Sequence, residues 1–228
     1  MYPLAGLITI LLAASGCAQR PVPRAADAET TATVLSGPSY VQDCQPCSIR
    51  ISPAAGVFLF RFSFSPAGAG RVVHSIAVTP PGAQAASQTL QVKDMMPLPP
   101  GAKVFFGAQD LNFDGYEDLM IITSHGVANA YADYWLYDPN ARNFAPLGEY
   151  PVFTVDQAAR RLKSYERGGS GGMIYESRQY AFLEGKLTVM RVEKQEAIEG
   201  SPDFRKTVEE RKDGKLVTIE RLTVRSPR

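Results

Sequence analysis

Histidine occurs only twice in the 228 residues and cysteine three times, and neither sign of charge dominates, with 24 Lys and Arg against 23 Asp and Glu. A formal net charge of +1 lacks the concentrated basic footprint with which a nucleic-acid binder neutralises phosphates. No apolar run reaches the ~20 residues that a membrane-crossing helix needs. Zinc is disfavoured as well, because no second Cys or His pair stands at ligand spacing. With 45% hydrophobic and 21% charged residues the composition is neither disordered nor collagen-like. What remains is a globular chain with enough apolar surface for a real core, as one large all-β domain or two small ones.

Met1 to Gly16 carries no charge and runs through Leu4, Leu7, Ile8, Ile10, Leu11 and Leu12 to the small residues Ala14, Ser15 and Gly16, directly before Cys17. A short apolar stretch that ends in small residues reads as a signal peptide. Cys17 after Ala-Ser-Gly resembles the lipobox of bacterial lipoproteins. That implies cleavage before Cys17, acylation of its sulfur and amine, and a periplasm-facing place in a bacterial cell envelope. Residues 17–40 are rich in Ala, Pro, Thr and Ser without periodicity and read as a flexible tether, and 41–228 as a single domain. Cys44 and Cys47 form a Cys-Gln-Pro-Cys unit. A thioredoxin-type site would need a helix after it within a βαβ pattern, whereas Ser48 to Ser52 alternates like a strand. The expectation is a structural disulfide, since the envelope is oxidising and lipidation leaves an even cysteine count.

The body reads as β. Phe58, Phe60, Phe62 and Phe64 recur with a period of two, which predicts a strand with one buried aromatic face. Arg71 to Thr79 repeats the pattern and places His74 with Val72, Ile76 and Val78 as a core residue. Further strands are predicted at Ser87–Lys93, Lys103–Gly107, Leu119–Ser124, Tyr131–Tyr137, Met173–Leu183, Leu187–Glu193, Phe204–Glu210 and Leu216–Val224. Glu184-Gly185 and Asp213-Gly214 mark tight turns. Only Asp156 to Tyr165 looks briefly helical. The expected class is all-β, antiparallel hairpins in a small propeller-like or sandwich domain.

Charge is unevenly placed. Up to residue 159 there are 8 basic and 12 acidic side chains, and beyond it 16 and 11. Between Lys103 and Arg142 no basic residue occurs, yet Asp110, Asp114, Glu117, Asp118, Asp133 and Asp138 do. Asp110-Leu-Asn112-Phe-Asp114-Gly115-Tyr116-Glu-Asp118 sets oxygen-bearing side chains at positions 1, 3, 5 and 9, with Gly at 6 and the Tyr116 carbonyl at 7. A hard cation takes six to eight oxygens, and a chain wrapped around it presents alternate side chains inward before a sharp turn at Gly. The expectation is a Ca²⁺ site formed by Asp110, Asn112, Asp114, Tyr116 and Asp118. Position 12 is Ile121 in place of the bidentate Glu of an EF-hand, so the affinity expected is the ~0.1 to 1 mM of extracellular modules.

With its Asp-x-Asn-x-Asp-Gly-Tyr-x-Asp-Leu loop, then Tyr134-Trp135-Leu136-Tyr137-Asp138-Pro139 and Phe144, the chain resembles the calcium-loop lipoproteins of bacterial envelopes. Members of that family protect cells against peptidoglycan hydrolases delivered by type IV secretion systems. The later Gly-rich loop and the hairpins at Glu184-Gly185 and Asp213-Gly214 are similar in order. The loop alone is shared with FG-GAP and VCBS-type repeats of adhesins, although a single copy departs from their tandem arrays. The resemblance implies a propeller-like fold related to periplasmic lysozyme inhibitors, and a partner that is a peptidoglycan hydrolase.

Gly168-Gly169-Ser170-Gly171-Gly172 satisfies Gly-x-Ser-x-Gly. A nucleophile elbow needs a buried strand before it and a helix after it, with its His later in the chain. Here polar residues precede it, a strand pattern follows, and both histidines lie upstream, so the chain is expected not to be an enzyme. Inhibitors resembling this family insert a loop with a Ser and a Tyr near its tip into the substrate cleft. Ser170 and Tyr175 occupy comparable places, which makes Gly168, Gly169, Ser170, Gly171, Gly172 and Tyr175 the candidate partner-binding residues. Two functions stand: an envelope-anchored immunity lipoprotein that inhibits a lysozyme-like hydrolase, and a calcium-stabilised structural or adhesive lipoprotein without inhibitory activity.

Overall fold

The computed structural model describes residues 34–35, 39–41, 46–126 and 128–226, with side chains from residue 46 onward. Cys17 and Cys44 lie outside the described residues, and so therefore do the lipidation site and the proposed Cys44–Cys47 pairing. Cys47 itself is buried at the start of a strand.

Among the described residues sixteen strands make three sheets, in which successive strands pair antiparallel almost throughout. Sheet A joins β1 (Val34–Leu35), β3 (Cys47–Ser52), β4 (Gly56–Ala67), β5 (Gly70–Thr79) and β6 (Gln88–Gln91) in that order, with β1 lying parallel to β3. Sheet B runs β10 (Asn143–Pro151), β9 (Ala130–Asp138), β8 (Asp118–His125), β7 (Val104–Gln109) and β2 (Ser39–Val41). Sheet C runs β11 (Thr154–Asp156), β12 (Arg161–Arg167), β13 (Tyr175–Leu183), β14 (Lys186–Ala197), β15 (Phe204–Lys212) and β16 (Lys215–Val224). The all-β class expected from the sequence is what the chain adopts. Of residues 17–40, Val34–Leu35 lie in β1 and Ser39 and Tyr40 in β2. β1 finds a partner in β3 and β2 one in β7, so backbone pairing extends the fold into the stretch that composition alone reads as linker.

Sheet B is the middle layer, and strict alternation gives it two buried faces. Phe106, Leu119, Ile121, Trp135 and Tyr137 enter one core with Phe58, Phe60, Phe62, Ile76 and Val78 of sheet A. Met120, Ile122, Ala132 and Tyr134 enter a second core with Leu162 and Tyr180 of sheet C. Aromatic rings meet edge to face across the first: Phe60 lies 5.5 Å from Phe106 and 5.9 Å from Phe144, and Phe58 lies 5.7 Å from Tyr137. Such contacts add to the gain from area burial. Gln88 also ties sheet A to sheet B. Its carboxamide donates to the Phe144 carbonyl at 2.6 Å and accepts from the Phe144 amide at 2.9 Å, imitating a strand partner.

His74 is not in the core. Between Ser63–Ser75 and Phe64–Val73 the β4–β5 register slips, leaving His74 as the extra residue of a bulge. The slip turns Val73 inward and His74 outward, where its Nδ1 lies 3.0 Å from Ser65 Oγ. The helical expectation at Asp156–Tyr165 also gives way to a strand. Leu162 and Ser164 point into the protein while Lys163 and Tyr165 face outward, a period of two hidden among polar residues.

Phe60 has no exposed surface and two ring partners. Phe60→Ala is therefore expected to cost about 3 to 5 kcal/mol, read as a lower urea midpoint at unchanged slope. A loss under 1 kcal/mol would mean that this core is not packed as described.

Candidate cation loop and partner-binding loop

The acidic loop connects β7 to β8 and is wound by its own side chains. Asp110 accepts the amides of Asp114 (3.1 Å) and Gly115 (3.0 Å), Asn112 Oδ1 accepts that of Asp114 (3.1 Å), and Asp114 Oδ1 accepts that of Tyr116 (2.9 Å). Asn112 Nδ2 donates to Asp114 Oδ2 at 2.9 Å. Phe113 and Gly115 take positive φ of 64° and 88°, the local reversals that let alternate side chains turn to one side. Tyr116 packs against Tyr137 at 5.4 Å and leaves the loop attached to the first core.

Asp118 differs from the other four candidates. It has no exposed surface, and its carboxylate accepts three backbone amides: Leu111 at 2.9 Å, Asn112 at 3.4 Å and Tyr137 at 2.8 Å. Burial pushes its carboxyl up to about 7 while those amides pull the other way. Burial, with the charge of Asp110, also raises Glu117. Among the described residues no three His, Cys, Asp or Glu side chains converge as a metal cage. The five residues expected to bind Ca²⁺ offer oxygen alone, as a hard cation requires: the carboxylates of Asp110, Asp114 and Asp118, the Asn112 carboxamide and the Tyr116 carbonyl. Through the three amides it accepts, the Asp118 carboxylate also acts as a post for the loop.

The loop touches all three sheets. The Glu117 amide donates to the Ile51 carbonyl of β3 at 2.7 Å, and Asp118 begins β8. From sheet C's side, Arg160 donates to the Phe113 carbonyl at 2.8 Å and lies 5.5 Å over its ring, while Gln157 reaches the Asp110 carbonyl at 3.4 Å.

The Gly-rich loop joins β12 to β13 and is more compact than a free finger. The Gly168 amide donates to the Ile174 carbonyl at 2.7 Å, the Ile174 amide returns to Gly169 at 3.3 Å, and Ser170–Gly172 makes a single 3₁₀ turn. Ser170, Gly171 and Gly172 all take positive φ. Gly168 is required by space, since a Cβ there would stand 2.5 Å from Ile174 Cγ2. Ser170 is exposed at the turn. Tyr175 is not at the tip but at the foot, paired in the sheet with Arg167 and Gln195. Its hydroxyl donates to Glu193 at 2.7 Å, which with burial pushes the phenol up to about 12. Its ring stacks on Tyr165, centroids 5.4 Å apart.

Beside this foot runs an open groove of about 500 Å³ whose lining includes Asn129, Glu166, Arg167, Tyr175, Lys194 and Gln195. The sequence reading missed Tyr165, Arg167 and Asn129. The period-two alternation of Arg161, Lys163, Tyr165 and Arg167 was the signal that could have placed the first two on one outer face.

Asp118→Ala would strand three amides in a dry environment, at a cost of about 3 kcal/mol or more. The loss should appear in chelator, where no cation contributes, with Asp118→Asn falling between, as measured by urea unfolding. An Asp118→Ala protein as stable as wild type would remove the post from this account.

No known protein family matches the chain, and no curated protein matches it. In shape it is similar to a solved structure described as that of a Xanthomonas type IV secretion system related protein. The TM-score is 0.53 at 13% sequence identity, covering 81% of this chain and all of that one, so that the likeness is one of fold.

Proposed function

We propose that the chain is an envelope-anchored lipoprotein that inhibits a peptidoglycan hydrolase of lysozyme type, as an immunity protein does, by seating the Gly168–Tyr175 region in the enzyme's cleft. The observation that carries this reading is the exposed, glycine-built turn at Ser170, held by four backbone hydrogen bonds on the end of a sheet beside an open groove. A glycosidase cleft carries two carboxyl groups and accepts an extended saccharide, so a narrow turn with a hydroxyl at its crest is a fitting plug. The all-β fold it shares with a protein described as related to type IV secretion gives further support, as does the sequence resemblance at the acidic loop. In this reading Cys17 carries the lipid and Cys44 and Cys47 are joined.

The same reading assigns Ca²⁺ to Asp110, Asn112, Asp114, Asp118 and the Tyr116 carbonyl, with Asp118 also bracing the loop. When bound, the ion supplies positive charge that offsets repulsion between the carboxylates. The residues themselves hold the loop against the three sheets, so the metal's contribution is to the scaffold. At one hundred times its dissociation constant calcium should add about 2.7 kcal/mol of stability, seen as a higher melting temperature in calcium than in chelator. Asp114→Ala should abolish the difference. Identical melting curves for the wild type in both conditions would exclude the site.

The test of function is inhibition on purified peptidoglycan of two purified hydrolases, a lysozyme and a peptidoglycan hydrolase of the kind type IV secretion systems deliver. Wild type should inhibit at least one of them, and Ser170→Ala should weaken that inhibition. A wild type that inhibits neither would reject the inhibitor reading and leave the calcium-stabilised structural lipoprotein.

A further inference from the structure

Sheet C is dense with charge, and nearly all the charge near the Gly-rich loop is satisfied internally. Glu166 accepts the Tyr131 hydroxyl, Glu176 pairs with Arg178, Glu196 with Lys194 at 2.6 Å, and Glu193 with Lys206 at 2.8 Å while holding Tyr175. Arg167 is the exception. Its guanidinium is exposed and makes no ion pair among the described residues, lying only over the Tyr165 ring at 6.0 Å.

Its main chain, by contrast, is held firmly. Asn129 Oδ1 accepts the Arg167 amide at 2.7 Å and Asn129 Nδ2 donates to the Arg167 carbonyl at 3.0 Å. Arg167 stands directly opposite Tyr175 in the ladder, and Tyr165 follows two residues along on the same side of the sheet. Tyr165 is 48% exposed, yet its ring is braced by the stacked Tyr175, whose hydroxyl is fixed by Glu193. An exposed aromatic ring and an unanswered cation are thus presented side by side on a prebuilt support. Such a pair costs little side-chain entropy on association, and Tyr and Arg are the residue types enriched at binding hot spots.

We infer that Tyr165 and Arg167 together form the anchor by which the chain grips its hydrolase, with Arg167 answering a carboxylate of the partner's cleft and Tyr165 lying in a sugar subsite. This rests on the inhibitor reading above and names the surface and the partner chemistry it fits. A cleft that cleaves glycosides offers both complements at once, paired carboxyls and subsites shaped for flat-faced rings. Arg167 runs straight into Gly168, so anchor and turn address one cleft. Because Arg167 makes no ion pair among the described residues, a carboxylate met there forms a charge-assisted pair without displacing one already made. Tyr175 is a positioning residue here, acting through the ring it supports.

The experiment measures inhibition constants against whichever of the two hydrolases wild type inhibits, for Tyr165→Ala, Arg167→Gln and Tyr175→Phe. Melting curves establish that each variant folds. Tyr165→Ala should weaken inhibition about 30-fold. Arg167→Gln should weaken it at least tenfold and flatten the dependence on salt that wild type shows. Tyr175→Phe, which keeps the supporting ring and loses only its hydrogen bond to Glu193, should weaken inhibition less than Tyr165→Ala does. If wild type inhibits while Tyr165→Ala and Arg167→Gln match it, the anchor is wrong and the inhibitor reading stands. If wild type inhibits neither enzyme, both fall together. A parallel titration with soluble chitooligosaccharide separates a glycan site from a protein site. Saccharide binding lost in Tyr165→Ala, with inhibition unchanged, would overturn the inference in favour of direct glycan recognition.

Discussion

A buried carboxylate organises this molecule. Asp118 sits fully enclosed at the start of β8 and accepts amides from Leu111, Asn112 and Tyr137. A charge removed from water is costly unless hydrogen bonds replace its hydration, and three amides do that here. The pull of burial remains the larger effect, as the raised carboxyl shows. Those three amides would otherwise be unsatisfied at the point where the acidic loop leaves β7 and where β9 passes behind it. One side chain therefore fixes the loop's exit and the adjacent strand together. Through Ile51, Arg160 and Gln157 the same loop reaches the sheets on either side. A cation held by its oxygens would tighten a junction that the hydrogen bonds already define.

The order of sheets follows from alternation in sheet B. Met120 and Ile122 point one way and Leu119 and Ile121 the other, so β8 has no solvent face to offer and needs a layer on each side. Sheet A meets one face with phenylalanines, and sheet C meets the other with Leu162 and Tyr180. Farther along sheet C that support ends. All ten residues of β16 are at least partly exposed, and Leu216, Val217, Ile219 and Leu222 are prominently so. There the sheet is held by its ladders and by ion pairs such as Arg191–Glu210.

The strands that could be read from the sequence were those with one decisively apolar face. Phe58, Phe60 and Phe62 placed β4, and the run from Leu119 to Ile122 placed β8, because aromatic and branched side chains at period two have few other uses. Two strands that bury only one or two side chains escaped notice. β12 buries only Leu162 and Ser164, and β10 buries Phe144 alone among nine residues. His74 was misplaced for another reason. A bulge inserts one residue, and nothing in Val72-Val73-His74-Ser75-Ile76 announces where the pairing slips. The winding of the acidic loop was legible in its spacing, but the amides that Asp118 accepts were not. Spacing records which side chains turn inward, and only the neighbouring β9 amide reveals what Asp118 turns toward.

The Gly-rich loop shows how composition can mislead about shape. Four glycines around a serine suggest a slack finger, yet here they permit a tight turn. Gly168 allows Ile174 to close over it, and positive φ at Ser170, Gly171 and Gly172 reverses the chain within one 3₁₀ turn. Closing the turn draws the aromatic and basic residues of β12 and β13 together at its foot. Tyr175 thereby gains a fixed hydroxyl and Tyr165 a fixed support, while the surrounding carboxylates find partners of their own. Arg167 lies over the Tyr165 ring. Internal pairing thus answers much of the local charge, while Arg167, on a main chain that Asn129 holds, makes no ion pair among the described residues.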